Sequence, residues 1–186
     1  ILMAEFLEKP YIYACEPLSL TFQLLVRNCR ETKNIQPINI GFWDKKSRAR
    51  MYFERTLLVY SSLFTERFTW HKSPDSEMVS LERLDEFVRE KNLETIDILK
   101  VDTEGAEELV LKGAEKTLSR TNFLIIECAG DNIRGSTFSS LIASLYSTKF
   151  NFHLLDLGNI LYAPSGEILV IDLLLKNVKF TGKSKA

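Results

Sequence analysis

Two carboxylates, Asp102 and Glu104, stand where a predicted strand ends and a predicted helix begins. The segment Ile96–Val101 before them is mostly apolar, which is typical of a central parallel strand covered on both faces. In open α/β sheets, ligands bind just outside the carboxyl ends of the strands. A carboxylate there can orient a bound hydroxyl or take its proton, and partial burial would raise its pKa toward the range that suits this task. The spacing therefore predicts candidate catalytic groups at a sheet edge.

The acidic residues of this segment also have a plainer interpretation. Acidic side chains at a helix start are usually solvated caps, and for Glu107 and Glu108 that interpretation is as good as a functional one. Thr103 or Glu104 could cap the first helical turn. Asp102 fits a cap less well, because it is the last residue of a strand with a buried pattern.

A further carboxylate, Glu16, follows the predicted strand Tyr11–Cys15 and precedes Pro17. An acidic residue at this place can accept hydrogen bonds from both hydroxyls of a ribose, as it does in dinucleotide-binding folds. Strand-end glutamates are more often plain caps, so position alone leaves both roles open.

The least regular stretch of the chain runs from Arg55 to Pro74 and is rich in aromatic residues. A long connection of this kind is often a lid or a substrate loop, and its aromatic rings would suit stacking on a sugar. A satellite apolar cluster under a long loop explains the pattern equally well. His71 in this loop could act as a base near neutral pH, although a lone loop histidine is more often a surface residue. His153 stands inside an apolar strand, and we expect it to be structural.

Charge and hydropathy exclude several classes of partner. The 24 basic and 25 acidic residues give a net charge of −1, so there is no electrostatic case for nucleic acid binding. No apolar run is long enough to span a membrane, and Glu5 and Glu8 argue against a signal peptide. The three cysteines lie in apolar segments without metal-ligand spacing, which indicates reduced core residues: Cys15, Cys29 and Cys128. We therefore expect a cytoplasmic protein with a small-molecule substrate; the sequence does not indicate its oligomeric state.

The remaining pattern alternates strands and helices without an internal repeat, which favours a mostly parallel sheet with helices on both faces. Four strands are predicted besides those named above, at Ile38–Phe42, Phe123–Cys128, Phe152–Leu157 and Ile168–Lys176. Arg50–Phe53 is predicted to be a hairpin partner of the strand at Ile38. The predicted helices comprise Leu18–Arg30, one capped by Ser80 with its inner face at Leu84, Phe87 and Val88, one running from the acidic motif through Gly113 to Thr117, and one carrying Phe138 to Leu145.

Several of these segments together resemble the FkbM-type methyltransferases. The segment KVDTEGAEELVLKGA, which contains Asp102, is similar to the signature of that family. CEPLSLTFQLLVRN, from Cys15, resembles the family's strand-end "EP" and the helix after it. INIGFWDKKSRARMYF, VSLERLDEF and FLIIE, from Ile38, Val79 and Phe123, resemble the third strand with its hairpin, the segment before the signature and the strand after it. The signature segment is fairly specific, whereas "EP" alone would be a weak signal.

This resemblance implies a fold and a cofactor. The fold is a Rossmann-like class I methyltransferase fold, α/β, with a mostly parallel sheet, helices on both faces and an antiparallel last strand at the sheet edge. The cofactor is S-adenosylmethionine. Its ribose is expected at Glu16 of the Glu16-Pro17 element. Its adenine is expected where Gly41, Phe42 and Asp44 follow the third strand, with Phe42 packed on the ring.

One family element is missing from the sequence. The family has a glycine-rich loop after its first strand, which holds the methionine portion of the cofactor. The eight glycines of this chain are scattered and none forms a GxG cluster. The opening ILMAEFLEK reads as the helix after that loop, so we expect residues 1–186 to be a single methyltransferase-like domain that is N-terminally incomplete.

The sequence therefore predicts an S-adenosylmethionine-dependent O-methyltransferase acting on a hydroxyl of a sugar or secondary metabolite. Asp102, Glu104 or His71 would be the base, or Asp102 would orient the acceptor or contact the ammonium group of the cofactor. Three carboxylates, of Asp102, Glu104 and Glu127, would also suit Mg²⁺, but a metal-free mechanism is preferred.

Two other functions remain open at this stage. The chain could be a non-catalytic Rossmann-like interaction module that has lost cofactor binding, as the absent loop suggests. A nicotinamide oxidoreductase would lack the same loop and is disfavoured by the signature segment.

Overall fold

The computed structural model describes residues 10–55, 61–65, 74–130, 135–146 and 150–181. The strands are β1 (Ile12–Cys15), β2 (Ile35–Ile38), β3 (Gly41–Phe42), β4 (Ser47–Phe53), β5 (Ser61–Ser62), β6 (Asp75–Glu82), β7 (Ile96–Val101), β8 (Thr121–Ala129), β9 (Phe152–Tyr162) and β10 (Ile168–Asn177). The helices are α1 (Ser19–Asn28), α2 (Leu84–Glu90), α3 (Glu107–Lys112), α4 (Glu115–Ser119) and α5 (Phe138–Tyr146). Residues 1–9 and the histidine at position 71 lie outside the described residues, so the expectations for them stay predictions.

The strand before the acidic motif belongs to a four-stranded sheet with the order β7-β8-β10-β9. β7 and β8 are parallel, with Val101 opposite Ile126, as their apolar runs predicted. The last strand, β10, is antiparallel to both of its neighbours, as expected. Its predicted place at the sheet edge is wrong, because β10 lies between β8 and β9 and the edge is formed by β9.

The described strands do not form one mostly parallel sheet, so that expectation is corrected to a mixed α/β architecture. β1 and β2 make a separate parallel pair. A second four-stranded sheet has the order β3-β6-β4-β5, in which only β3 and β6 are parallel. The predicted hairpin between the strand at Ile38 and Arg50–Phe53 is also wrong, because β4 pairs with β6 and β5.

Two of the predicted helices have different limits from those expected. Ser80 lies inside strand β6, and α2 begins at Leu84 after Arg83, without a side-chain cap. The helix predicted from the acidic motif to Thr117 is interrupted at Gly113 and Ala114, which separate α3 from α4. A Cβ atom at Gly113 would lie 2.0 Å from the carbonyl oxygen of Trp43, so only glycine allows this close approach.

The main core lies against one face of the β7-β8-β10-β9 sheet. Helices α2 to α5 supply its apolar side chains at helical spacing, as with Leu141 and Leu145, which are both fully buried. Each such leucine stabilises the fold by roughly 1.5–3 kcal/mol through burial. A smaller core packs β4 and β6 against Leu18 at the start of α1. Val26 of α1 is 45% exposed.

Two surface features complete the fold. The edge strand β9 exposes a row of large apolar side chains, among them Leu155, Leu157, Leu161 and Tyr162. Among the described residues, no helix is both long enough and apolar enough to cross a membrane.

The cysteines are free thiols, and burial raises the pKa of Cys15 and of Cys128 to about 12, which keeps both thiols protonated and unreactive.

Candidate functional site

The acidic motif folds as a tight turn between β7 and α3 rather than passing directly into a helix. Glu104 has a φ of 53° and Gly105 a φ of 101°, so two consecutive residues adopt the left-handed region. Such a conformation is unfavourable for a glutamate and persists only when the surrounding structure holds it. The turn presents Asp102 and Glu104 beyond the carboxyl end of β7.

The side chain that holds this turn is Glu107. Its Oε1 accepts three hydrogen bonds of 3.0 Å, from the backbone N–H of Thr103, the hydroxyl of Thr103 and the N–H of Gly105. Glu107 is only 2% exposed, so the interpretation of this residue as a solvated cap is wrong. Thr103 and Glu104 do not cap α3 either, since the N-cap is Ala106 and makes no side-chain hydrogen bond.

A second contact fixes the turn from the neighbouring sheet. Ser62 of β5 is buried, and its hydroxyl donates a hydrogen bond of 2.8 Å to the carbonyl oxygen of Glu104. The same Oγ accepts a hydrogen bond from the N–H of Phe64. The β3-β6-β4-β5 sheet is thereby joined to the acidic turn, and no sequence pattern indicated this role of Ser62.

Three carboxylates meet at this edge of the sheet. Carboxylate oxygens of Asp102, Glu104 and Glu127 lie within 4.8 Å of one another. Lys100 donates a hydrogen bond of 2.5 Å to Asp102. The pKa of Glu127 is raised to about 7, mainly by burial and to a smaller extent by the negative charges of Asp102 and Glu104. The sequence predicted this meeting of strand ends, and the metal-free interpretation of it stays a prediction.

A cavity of about 120 Å³ lies beside the acidic turn. Six of the residues predicted for the site line it: Glu16, Pro17, Gly41, Phe42, Asp102 and Glu104. Apolar side chains close the other walls, among them Met51, Leu63 and Leu81. The described residues thus bring together the strand ends of β1 and β7, which are far apart in the sequence.

Glu16 is held in place at the start of α1. Its Oε1 accepts a hydrogen bond of 2.8 Å from the N–H of Leu18. Burial raises the pKa of Glu16, while the hydrogen bonds from Leu18 and Thr21 act in the opposite direction. One carboxylate oxygen therefore holds the turn that leads into α1, and the ribose-binding role stays a prediction.

Gly41 and Phe42 form another part of the cavity wall. A Cβ atom at Gly41 would lie 2.7 Å from Cδ2 of Leu81 and 3.2 Å from Cβ of Pro17, so a side chain at this position would displace the wall. The Phe42 ring packs edge-on against Phe87 with 5.3 Å between ring centroids. Trp43, by contrast, packs against the smaller core, in agreement with its prediction as a core aromatic.

Asp44 is placed away from the cavity. Its Oδ2 lies 3.6 Å from Nζ of Lys112, and its backbone oxygen accepts a hydrogen bond of 2.6 Å from Arg83. Its Oδ1 is buried without a hydrogen-bond partner. This arrangement joins the end of β3 to α3, and Asp44 is absent from the residues that line the cavity.

A larger groove of about 570 Å³ lies on helices α2 and α4. Its lining mixes both signs of charge, with Arg89 and Arg120 beside Glu86 and Glu94. Of the predicted site residues that the structure describes, none lines this groove, so the smaller cavity is the better candidate despite its size.

Comparison with known proteins identifies related sequences. The Methyltransferase FkbM domain matches residues 4–154. The 2-O-methyltransferase NoeI of Sinorhizobium fredii (strain NBRC 101917 / NGR234) is 35% identical over 60 residues, which cover 32% of this chain and 25% of that protein. The matched part is thus about a quarter of the length of this curated relative. No solved structure matches the chain significantly.

Proposed function

Since the chain belongs to the FkbM methyltransferase family, whose domain matches residues 4–154, we propose that it is an S-adenosylmethionine-dependent O-methyltransferase. Its acceptor is a hydroxyl of a sugar or secondary metabolite. The observation that carries this proposal is the cavity in which the strand-end carboxylates Glu16, Asp102 and Glu104 meet. The printed name of the relative NoeI, a 2-O-methyltransferase, supports transfer to oxygen.

The residues around the cavity fit the nucleoside half of S-adenosylmethionine. The Glu16 carboxylate would accept hydrogen bonds from the ribose hydroxyls, and Phe42 would pack on the adenine ring beside Gly41. A volume of about 120 Å³ is small for a complete ligand pocket, which is typically ~300–1,000 Å³. The described residues offer no glycine-rich turn to hold the methionine portion of the cofactor.

The chemistry requires little beyond alignment and proton removal. The cofactor supplies an electrophilic methyl group on a positively charged sulfur. The chain must hold the acceptor hydroxyl in line with that methyl group and accept its proton. Asp102 and Glu104, which project beyond β7, would hydrogen-bond the hydroxyl, and the cluster of negative charge would also favour the cationic donor.

The proposal includes a Rossmann-like arrangement of the sheets. β1 with β2 and β7 with β8 are parallel pairs, and the carboxyl ends of β1 and β7 both border the cavity. In a doubly wound fold, the strands whose carboxyl ends border a ligand site of this kind belong to a single open sheet. In the described part of the chain, no hydrogen bond joins β1 to β7.

One observation favours the alternative of a non-catalytic interaction module. Glu16 already accepts a hydrogen bond from the N–H of Leu18, the residue before α1, so its place at the strand end needs no ligand to explain it. A module would keep this hydrogen bond while having no affinity for the cofactor.

A radiolabel assay with the full-length protein decides between these functions. The protein is incubated with S-adenosyl-[methyl-³H]methionine and a panel of methyl glycosides, and label in the glycoside fraction is counted. We expect transfer that persists in EDTA, in keeping with a metal-free mechanism. A requirement for Mg²⁺ would favour the metal alternative, and a protein that neither transfers label nor binds S-adenosylhomocysteine would be the interaction module.

A further inference from the structure

Two short segments that are distant in the sequence adjoin each other in the wall of the cavity. Ser61 and Leu63, in β5 and directly after it, line the cavity together with residues 102–104 of the acidic turn. Ser62 stands between the first two, is 2% exposed, and donates a hydrogen bond of 2.8 Å to the carbonyl oxygen of Glu104. This hydrogen bond holds the two parts of the wall against each other, although its partners are 42 positions apart.

The acidic turn needs such support because of its backbone conformation. Glu104 and Gly105 have positive φ angles of 53° and 101°, and a glutamate keeps such a conformation only when its surroundings hold it. Glu107 accepts hydrogen bonds from N–H groups of the turn. Ser136 donates to the carbonyl oxygen of Gly105 through its N–H, at 2.9 Å, and its hydroxyl, at 3.2 Å. Of the supports from Glu107, Ser136 and Ser62, only the last comes from the β3-β6-β4-β5 sheet, which also supplies apolar side chains to the cavity wall.

We propose that Ser62 is a positioning residue for the methyl transfer: by holding the backbone of Glu104, it sets the place of the carboxylates that receive the acceptor hydroxyl. This inference rests on the proposed methyltransferase function. Ser62 acts through Glu104 and through the gap between the acidic turn and β5, and it does not itself contact the reactants. An acceptor hydroxyl would then meet Asp102 and Glu104 at a fixed distance from the wall at Ser61.

The strand that carries Ser62 can hold the turn because this strand is itself anchored. Ser62 is paired with Tyr52 of β4 in the antiparallel sheet. Its hydroxyl oxygen also accepts a hydrogen bond of 3.2 Å from the N–H of Phe64. The Phe64 ring packs against Trp43, with 6.4 Å between the ring centroids, and Trp43 packs against the smaller core. A hydroxyl that both donates and accepts has a fixed orientation, so Ser62 links the position of the turn to that of the core.

Removal of this hydroxyl should affect turnover more than cofactor binding. Ser62→Ala takes away the donor to the Glu104 carbonyl, so the turn can shift relative to β5. A misplacement of about 1 Å can lower the rate of an enzyme about 100-fold, and we expect kcat to fall roughly 10- to 100-fold. The KM for the cofactor should stay the same, because the proposed cofactor contacts Glu16 and Phe42 take no part in this hydrogen bond.

The test measures kcat and KM of the full-length protein with the tritiated cofactor and the methyl glycoside that it labels best. Thr121→Val is the matched control, because the Thr121 hydroxyl is buried and donates a hydrogen bond of 2.9 Å to the carbonyl oxygen of Thr117, at the opposite end of β8 from the acidic turn. Each substitution removes one hydroxyl-to-carbonyl hydrogen bond, so both variants should melt at a temperature roughly 2–4 °C lower. Only Ser62→Ala should lose kcat, and Ser62→Thr, which keeps the hydroxyl, should retain most of it.

A second measurement does not depend on methyl transfer. Hydrogen exchange at the N–H groups of Thr103 and Gly105, which Glu107 holds, reports on the turn itself. We expect a peptide that contains both residues to exchange faster in Ser62→Ala than in the unaltered protein, because local opening of the turn becomes easier. In Thr121→Val the exchange of the same peptide should be unchanged.

A Ser62→Ala protein with the kcat of Thr121→Val, or with unchanged exchange at the turn, would overturn the proposal. An equal loss of kcat in Ser62→Thr would overturn it as well, since the hydroxyl would then not be the group that matters. So would a loss confined to the KM for the cofactor. If the unaltered protein transfers no methyl group, the proposed function fails and the role of Ser62 in it fails too; transfer that Ser62→Ala leaves undiminished removes Ser62 alone.

Discussion

At the scale of single residues, the site brings together negative charges whose mutual repulsion lowers the stability of the folded protein. Four acids, Asp102, Glu104, Glu127 and Asp172, face one another across β7, β8 and β10, with Lys100 as an opposing cation. Like charges at this separation destabilise the folded state, because bringing them together costs free energy that the unfolded chain does not pay. Strain of this kind is common where groups are arranged for chemistry.

The first prediction concerns the effect of Glu127 on how the stability of the protein depends on pH. Its pKa is raised from 4.5 to about 7 in the folded protein, so the folded state binds the proton more tightly than the unfolded state does. This tighter proton binding contributes to the free energy of unfolding. The contribution is fully present below pH 4.5 and is lost as the pH rises through 7. We expect Glu127→Gln to melt at a higher temperature than the unaltered protein at pH 8, with the gap closing toward pH 5. Equal melting temperatures at pH 8 would show that Glu127 is not under this repulsion.

The second prediction concerns Glu16, which accepts a hydrogen bond from the N–H of Leu18 before α1 and is proposed to hold the ribose. Glu16→Ala removes charge-assisted hydrogen bonds to a buried ligand and should weaken S-adenosylhomocysteine binding about ten- to a hundred-fold, or roughly 1.5–3 kcal/mol, in calorimetry on the full-length protein. Glu16→Gln is the matched control, because its amide oxygen can still accept the hydrogen bond from Leu18. A loss of stability of about 1 kcal/mol with unchanged affinity would leave Glu16 with a structural role alone, through its hydrogen bond to Leu18.

At the scale of elements, the apolar runs predicted the limits of β7 and β8 closely, because both strands carry apolar side chains into the main core. The predicted burial of β7 on both faces is wrong, because its Asp97 and Lys100 are exposed and β7 is the edge strand of the described sheet. β6 was missed because only Val79 and Leu81 point into a small core, while Asp75, Ser76 and Ser80 face outward or lie at its end. Ser80 also has the chemistry of a helix cap, which made the wrong assignment reasonable.

The acidic turn was placed correctly along the chain, but its internal support was not predicted. A buried Glu107 that accepts hydrogen bonds from Thr103 and Gly105 has the same sequence pattern as a solvated helix start. The difference depends on burial by the neighbouring α5 region and β8, which no local pattern contains. The contact from Ser62 depends on tertiary structure in the same way.

The third prediction concerns this support. Glu107→Ala leaves the N–H groups of Thr103 and Gly105 without their acceptor in a buried turn. We expect the free energy of unfolding to fall by about 2–4 kcal/mol in urea denaturation, and the turn to lose its left-handed residues. Glu108→Ala is the control from the next position, and a change below about 0.5 kcal/mol is expected there. Equal losses for both variants would mean that Glu107 has no special part in holding the turn.

At the scale of the whole molecule, the described residues make a mixed α/β structure in which the strand ends of β1 and β7 share a cavity but no hydrogen bonds. The sequence predicted the alternation of elements and the meeting of these strand ends. It did not predict the separate β3-β6-β4-β5 sheet, because pairing between strands so distant along the chain is not encoded in local periodicity.

The fourth prediction concerns the chain of residues 1–186 as a unit. The sequence has no GxG cluster to offer backbone donors to the methionine portion of the cofactor, and the cavity is about 120 Å³. We therefore expect this chain by itself to bind S-adenosylmethionine weakly, with a dissociation constant well above the micromolar range in calorimetry. Micromolar binding would show that another segment of residues 1–186 takes the place of the glycine-rich loop.

The long edge strand β9 bears on how the protein behaves at high concentration. In the described part of the chain, β9 pairs only with β10, and it carries exposed Leu155, Leu157, Leu161 and Tyr162. An edge strand of eleven residues with exposed apolar side chains is a template on which another chain can add a strand, the contact from which ordered aggregates grow. In concentrated solutions we therefore expect molecules to associate through β9 first. Leu157→Lys should raise the protein concentration at which light scattering detects aggregates. Because β8 and β10 separate β9 from β7, a substitution on β9 can improve solubility without altering the acidic turn.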